Sequence, residues 1–383
     1  MPNIGVQEWL AAGQAILSGN IYRYKDGAHF SEGFERRLGE TLGSQYALTV
    51  NSGTAALVCA LAAAGIGPGD EVLVPAYTWM ATAAAPVMVG AVPVLVDIDE
   101  TLTIDPDDIE RKITPYTKAI IPVHMINLPC AMDRIMAIAK KHNLLVIEDA
   151  CQAVGVPYKD GYCGAIGDAG AFSFNSYKNM NIGEGGALVT NSGALYARAR
   201  NYHDLGAAIR GHEETFNQAP FVGHNMRVTE LQTAMLDVQL SKLMPMIARL
   251  KTRRAAMAQV FEASGLKLAP HNDSANAVSL VVLFDTADQA IEFGKRPQVT
   301  RIMDSSKHIY TNWEAILAKR TFHEKMNPWA WAHREIDYSP QSCARSLDIL
   351  SRACRVALGQ RYPTPLVRIA AQRLAKGAMS APA

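Results

Sequence analysis

The sequence lacks what several protein classes require. Its six cysteines (Cys59, Cys130, Cys151, Cys163, Cys343, Cys354) stand singly with no CxxC among them. That pattern excludes a disulfide framework and points to a reducing, cytoplasmic setting. The ten histidines include no HExxH, and neither Cys151 nor Cys163 has a partner pair at zinc-ligand spacing, so no metal is expected. Charge of one sign is missing as well. The 37 Lys+Arg against 36 Asp+Glu leave +1, no excess to hold a nucleic acid or a membrane surface. No apolar run reaches the ~20 residues of a membrane span, and the longest candidate, 81–96, is broken by Pro86, Gly90 and Pro93. The opening residues carry no basic stretch followed by an apolar one, so no signal peptide is expected. A GIGPG at 65–69 follows a helix pattern and precedes a strand, the reverse of a dinucleotide-binding turn. What the chain does have is apolar mass. At 49% apolar and 19% charged it can bury a large core, and a small-molecule partner is favoured over a polymer.

A length of 383 residues suits two domains or one large α/β unit. Between 47 and 190 seven short apolar runs (47–50, 71–75, 92–96, 119–123, 144–149, 170–174, 186–190) alternate with helical patterns such as TAALVCALAAAG and AMDRIMAIAKKHN. Such runs suit strands covered on both faces, hence a doubly wound, mostly parallel α/β sheet. Asp105, Pro106, Asp107 and Asp108 make a helix start: a cap, an early proline and acids at the positive end of the dipole. Long helices are expected over 227–264. After Asn272, AVSLVVLF and TADQAIEFGK indicate a small C-terminal α+β domain. The reading is therefore a large domain over 1–245, with an N-terminal arm, and a small one over 246–383. The segment 304–338 has little periodicity and reads as a long loop or insertion. A helix follows 363, with a disordered MSAPA at the end.

Three motifs could carry chemistry. Asn51-Ser52-Gly53-Thr54 lies between a strand and a helix, where free backbone N–H groups and a helix dipole can hold a phosphate. Asp149 ends the strand LLVIED, at the edge where open α/β sheets bind ligands. Lys178 leaves the strand GAFSF ahead of the glycine-rich Gly183-Glu184-Gly185-Gly186; a lysine in a partly apolar pocket can serve as a Schiff-base nucleophile. Alone, each has an ordinary reading: a capping turn, a structural acid, a surface lysine. As an ordered set they match the needs of pyridoxal phosphate: a phosphate anchor, an acid opposite the ring nitrogen, and a lysine.

At that point a resemblance becomes specific. NSGTAAL (51–57), GDEVLVPAYTWMATAAAPVMVGAVPVLVDID (69–99), VIEDACQAVG (146–155), GDAGAFSFNSYKNMNIGEGGALVT (167–190) and VGHNMRVTELQTAMLDVQL (222–240) resemble, in order and spacing, the DegT-type sugar aminotransferases among the fold-type I pyridoxal-phosphate enzymes. The resemblance implies roles. Lys178 is similar to the lysine that binds the cofactor and shuttles the substrate proton, and Asp149 to the acid on the pyridine nitrogen. Gln152 matches the residue at the phenolic oxygen, and Gly53, Thr54 and Ser173 match phosphate contacts. Trp79 matches the aromatic that stacks on the ring, although a core tryptophan is an alternative. Asn225 and Arg227 lie in GHNMR, resembling a segment that crosses to a neighbouring copy, where the asparagine reaches the phosphate; this implies a homodimer with shared active sites. His224 stands where tyrosine is usual. Glu184 faces the substrate entrance or serves the turn.

The match is looser at the substrate end. Asn127-Leu128-Pro129 stands where Gly-Gln-Pro is common and Ala131 where aspartate is common. The 303–335 segment adds Lys307, His308, Asn312 and Trp313 as candidate contacts to an anionic or polyhydroxylated substrate, or as loop packing. Tyr22-Arg-Tyr24, DETL (99–102) and SLDILSR (346–352) resemble a branch acting on a free acidic sugar, the 8-amino-3,8-dideoxy-manno-octulosonate transaminases of lipopolysaccharide biosynthesis. The expected function is transfer of an amino group from glutamate or glutamine to such a keto-sugar. The alternatives are a nucleotide-linked keto-sugar, an aminocyclitol ketone, or a non-catalytic cofactor-binding regulator. A dehydratase of the same family would carry histidine at Lys178, and a cysteine desulfurase would need a cysteine in a mobile loop.

Overall fold

All seven apolar runs of the first half enter one sheet. In the computed structural model, which describes residues 4–24, 29–207, 219–358 and 364–376, the strands are β1 (Tyr46–Val50), β2 (Glu71–Pro75), β3 (Val92–Val96), β4 (Thr117–Ile120), β5 (Leu145–Asp149), β8 (Ala169–Ser173) and β9 (Gly186–Thr190). A small hairpin, β6 (Pro157–Tyr158) and β7 (Gly161–Tyr162), stands apart. The spatial order is β1-β9-β8-β5-β4-β2-β3. Only the two pairings made by β9 are antiparallel. Such a sheet must be covered on both faces, and β2, β3, β8 and β9 are buried at every residue.

The helices between strands form where the composition predicts. Asp105 accepts a hydrogen bond from the Asp107 N–H at the start of helix Pro106–Lys112. Helix Met132–His142 stops at Asn143, whose φ of 52° is a left-handed cap that asparagine tolerates. The helix Gly53–Ala63 is alanine-rich and buried on nearly all sides, so it can sit close under the sheet.

The long helix Glu230–Ala263 is the spine of the N-terminal part. Helix Val6–Leu17 docks on it through the buried Glu8, which accepts from Gln239, Lys242 and the Gly5 N–H. Helix Phe30–Leu42 docks through Ser31, whose N–H and hydroxyl donate to the Glu230 carboxylate. Position 245 falls within this spine.

Beyond it, β10 (Val281–Leu283), β11 (Val299–Arg301) and β12 (Ala353–Val356) form an antiparallel sheet in the order β10-β12-β11, backed by helix Ala287–Gly294. Residues 303–335 fold as short 3-10 turns and one helical turn, Glu314–Leu317, which explains the weak periodicity. Side chains tie this region to the large sheet. Arg334 makes two bonds to the Glu71 carboxylate (2.6 and 3.1 Å), and the Tyr338 hydroxyl donates to the Pro93 carbonyl (2.6 Å). Trp313 is fully buried, its indole N–H on the Lys307 carbonyl. Helix Thr364–Ala375 follows, and the MSAPA expected to be disordered lies outside the described residues. No helix among the described residues is long and apolar enough to cross a membrane.

Candidate active site

The sequence motifs converge on one edge of the large sheet, where its parallel strands end. Asp149 is the last residue of the central strand β5 and is 5% exposed. A buried carboxylate needs donors, and two are present. Thr82 Oγ1 donates to Oδ2 (2.7 Å) and the Cys151 N–H to Oδ1 (3.1 Å). Its neighbour Glu148 points the other way, as strand alternation requires. There it is fully buried and accepts from Gly164, Ile166 and Gly167 N–H groups and from His124 Nε2. Because His124 Nδ1 accepts from the Cys130 N–H (3.1 Å), its proton sits on Nε2. Glu148 thus clamps the loops around β5, while Asp149 keeps lone pairs for the site.

Beside Asp149 lies the turn that opens helix Gly53–Ala63. Ser52 caps it by accepting from the Ala55 N–H (3.0 Å), and the first turn of the helix points its free N–H groups at the strand ends. Gly53 is required by packing. A Cβ there would lie 2.6 Å from Cys151 Sγ and 2.8 Å from Ser173 Cβ. The Ser173 hydroxyl accepts from the Asn175 N–H (3.3 Å). Burial and the adjacent Asp149 carboxylate hold the Cys151 thiol well above its ordinary pKa, so it stays protonated at neutral pH.

Lys178 stands in the turn after β8, fixed by its N–H to the Asn175 carbonyl (2.9 Å). Its ammonium makes no hydrogen bond or ion pair with a described residue. Its charge is close enough to Cys151 and His308 to bias both. Trp79, 46% exposed, sits over this region with its ring 5.1 Å from that of His308. Gln152 lies between two partners, accepting from the Ile126 N–H (3.0 Å) and facing His308 Nε2 (3.4 Å). His308 Nδ1 faces the Ser305 carbonyl (2.8 Å), which can only accept, so Nε2 is bare. Burial, with Lys178 and Arg355 nearby, pushes His308 below its ordinary pKa against the opposing Ser305 carbonyl, and it is neutral at pH 7.

The other expected residues are placed differently. The Arg227 guanidinium is paired with Asp204 and lies over the Tyr22 ring. Lys307 is paired with Glu314 and donates to the Asn312 carbonyl. The Glu184 carboxylate accepts from Asn175 (2.8 Å) across the turn that follows Lys178. Asn225 is exposed, and the Met226 carbonyl accepts from the Asn51 N–H (2.8 Å), so GHNMR runs past the Gly53 turn of its own chain. Thr82 was not foreseen; it lies three residues past Trp79, and only the helix Ala81–Met88 aims it at Asp149.

Against known proteins, the family model described as the DegT/DnrJ/EryC1/StrS aminotransferase family matches residues 5–331. The chain belongs to this family. Among curated DegT-family relatives, the GDP-perosamine synthase of Caulobacter vibrioides is 44% identical over 55% of this chain and 56% of its own length. The spore coat polysaccharide biosynthesis protein SpsC of Bacillus subtilis is 37% identical over 74% of each chain. The chain thus spans little more than half of some relatives it matches. Two solved structures share the fold. The 3-amino-5-hydroxybenzoic acid synthase has a TM-score of 0.81 at 26% identity, covering 99% of this chain and 98% of its own. An aminotransferase from Psychrobacter cryohalolentis has a TM-score of 0.78 at 28% identity with the same coverage. The donor set fits pyridoxal phosphate: a glycine held open at a helix N-terminus, a buried acid with lone pairs to spare, an exposed indole and an unpaired lysine.

Proposed function

We propose that this DegT-family protein is a pyridoxal-phosphate-dependent aminotransferase that moves an amino group from glutamate or glutamine to a keto-sugar. The observation that carries this reading is the free Lys178 ammonium sharing one sheet edge with the oriented carboxylate of Asp149. When bound, the cofactor supplies a sink for the electron pair left as a substrate proton departs. Gly53, Thr54 and Ser173 would hold its phosphate, and Asp149 would accept from its ring nitrogen. The Trp79 indole would cover the ring face, and Gln152 would meet the phenolic oxygen. Lys178 Nζ takes the proton from the substrate's reacting carbon and returns it.

A homodimer with shared sites accords with the surface. Val6, Trp9 and Leu17 on helix Val6–Leu17 are 70%, 72% and 88% exposed, and Val222 beside GHNMR is 89% exposed. A second copy seated there would bring Asn225 to its neighbour's phosphate turn. The division at about 245 into a large cofactor domain and a small C-terminal one has the long helix running through both. The six free cysteines suit a cytoplasmic location.

The first-choice acceptor is an acidic 8-oxo-3-deoxy-manno-octulosonate sugar. Two segments that resemble that branch serve the scaffold. Arg23 is buried against Glu35, and Ser346 binds Asp97. A nucleotide-linked keto-sugar is the second reading, favoured by relatives named for GDP-perosamine. The test is colour. Purified holoenzyme should be yellow, lose its colour with glutamate or glutamine and regain it with one keto-sugar of a panel. Colour that persists with every amino donor sinks transamination and leaves the regulator.

Gly53→Ala tests the phosphate turn. Overpacking against Cys151 and Ser173 should cost about 1–3 kcal/mol of stability and weaken cofactor binding, read by titrating apoenzyme and following absorbance. Unchanged cofactor affinity would place the phosphate elsewhere.

A further inference from the structure

The turn after β4 departs from ordinary backbone geometry at two consecutive residues. Ile126 (φ 47°, ψ 37°) and Asn127 (φ 65°) both lie in the left-handed region. A β-branched residue rarely adopts that conformation, and such strain persists only where the surroundings over-determine it. Here they do. The His124 N–H donates to the Asp149 carbonyl (3.0 Å) and the Leu128 N–H closes the turn on the Met125 carbonyl (2.8 Å). Asn272 Nδ2 donates to the Pro129 carbonyl (2.9 Å), and the Ile126 side chain is buried.

The strained turn presents the Ile126 N–H to Gln152 Oε1 (3.0 Å). On its other side Gln152 Nε2 faces the bare Nε2 of His308 (3.4 Å). Exchanging the amide oxygen and nitrogen would set two donors together at Ile126 and two acceptors at His308. The carboxamide is therefore held in one sense, with its second N–H left for the site.

The turn is also held from the lysine side. Asn179, next in the chain to Lys178, donates from Nδ2 to Asn127 Oδ1 (2.7 Å) and to the Val154 carbonyl (3.2 Å). Glycine, which is common at position 127, would suit the left-handed backbone but has no side chain for Asn179 to hold.

We propose that Asn127 is a positioning residue: its carboxamide, gripped by Asn179, fixes the turn that presents the Ile126 N–H to Gln152 and so aims the Gln152 amino group into the site. The inference rests on the reading in which Gln152 meets the phenolic oxygen of the cofactor. An N–H donated there stabilises the negative charge on that oxygen. Misdirecting it lets the bound chromophore hold its proton to higher pH.

The test is a pH titration of the visible absorbance of holoenzyme, with cofactor affinity and the melting temperature of the apoenzyme measured alongside. Q152L should raise the midpoint by about 1–2 pH units, the scale of one hydrogen bond to a charged oxygen. N127G keeps a backbone suited to the turn and removes only the carboxamide, and N179A removes its partner. Each should raise the midpoint by about 0.3–1 unit, a fraction of that bond. N127G/N179A should shift it no further than the larger single change, and neither change should move it in a Q152L background. His124, Asp149, Cys151, Lys178 and His308, which surround Gln152 and its turn, are unchanged in all these variants. An unmoved midpoint in N127G overturns the proposal, whatever the melting temperature does. So does a shift that persists in the Q152L background or adds fully in the double variant. A Q152L midpoint equal to that of the wild type removes Gln152 from the phenolic oxygen and the proposal with it. A wild type that takes up no cofactor refutes both the proposal and the reading beneath it. The expected shifts in a protein that no amino donor bleaches would keep the positioning link and refute transamination.

Discussion

Replacing Lys178 with alanine is expected to abolish turnover, a loss of about 10⁴-fold or more, while leaving the melting temperature close to that of the wild type. The two halves of this expectation have separate causes. The ammonium makes no hydrogen bond or ion pair, so its removal orphans no partner. The turn that carries it is held by backbone bonds, from the Lys178 N–H to the Asn175 carbonyl and from the Ser176 N–H to the Gly183 carbonyl, and these survive. The chemistry has no substitute. Tyr177 is 81% exposed, and the Cys151 thiol is held protonated by burial and by Asp149. Lys178→Arg keeps the charge but removes the nucleophile and should be equally inactive. The measurement is turnover with the best donor–acceptor pair, alongside the visible spectrum. Retained activity in the alanine variant would remove Lys178 from the mechanism. A partial return of rate with added small primary amines would show that the missing group is the amine itself.

Asp149→Asn should slow the donor half-reaction by about 10²–10³-fold, the scale for removing one preorganised charge. The shape is conserved, and the local network can adapt. Thr82 Oγ1 lies 2.7 Å from both Asp149 Oδ2 and Thr78 Oγ1. Its proton can turn to Thr78, leaving Thr82 to accept from the new amide. The Cys151 N–H keeps an oxygen acceptor. The folded protein should therefore persist and still take up cofactor, and what is lost is the negative charge opposite the ring nitrogen. Single-turnover absorbance with glutamate reads the rate. A cofactor methylated on that nitrogen, and so permanently charged, should restore part of it. A wild-type rate in the asparagine variant would mean that Asp149 serves only the fold.

The candidate site was legible in part, and the reason differs by residue. Asp149 could be found because a carboxylate closing an apolar strand is anomalous locally, and Gly53 because it sits between a strand and a helix. Glu148 precedes Asp149 with the same chemistry, and only the alternation of the strand separates a clamp for the loops from a group that faces the site. Arg227 and Lys307 resembled free cations in sequence, yet the fold pairs them with Asp204 and Glu314. Side-chain pairing depends on rotamer and neighbour, which periodicity does not encode.

By itself the sequence determined the seven strands of the large sheet, the helices that cover it, the family, and Asp149 and Lys178 as the candidate acid and lysine. These follow from local chemistry: apolar runs long enough to be covered on both faces, caps, turns, and motifs in a set order. The tertiary structure alone decided which distant side chains meet. Thr82 reaches Asp149 across 67 positions and His308 meets Gln152 across 156. The pattern-poor segment 304–338 became an ordered strap because Arg334, Tyr338 and Trp313 found buried partners. Net charge told nothing of where a cation stays unpaired. Pairing is settled by which side chains the fold brings into reach: Arg227 meets Asp204 and Lys307 meets Glu314, while the Lys178 ammonium meets no partner among the described residues.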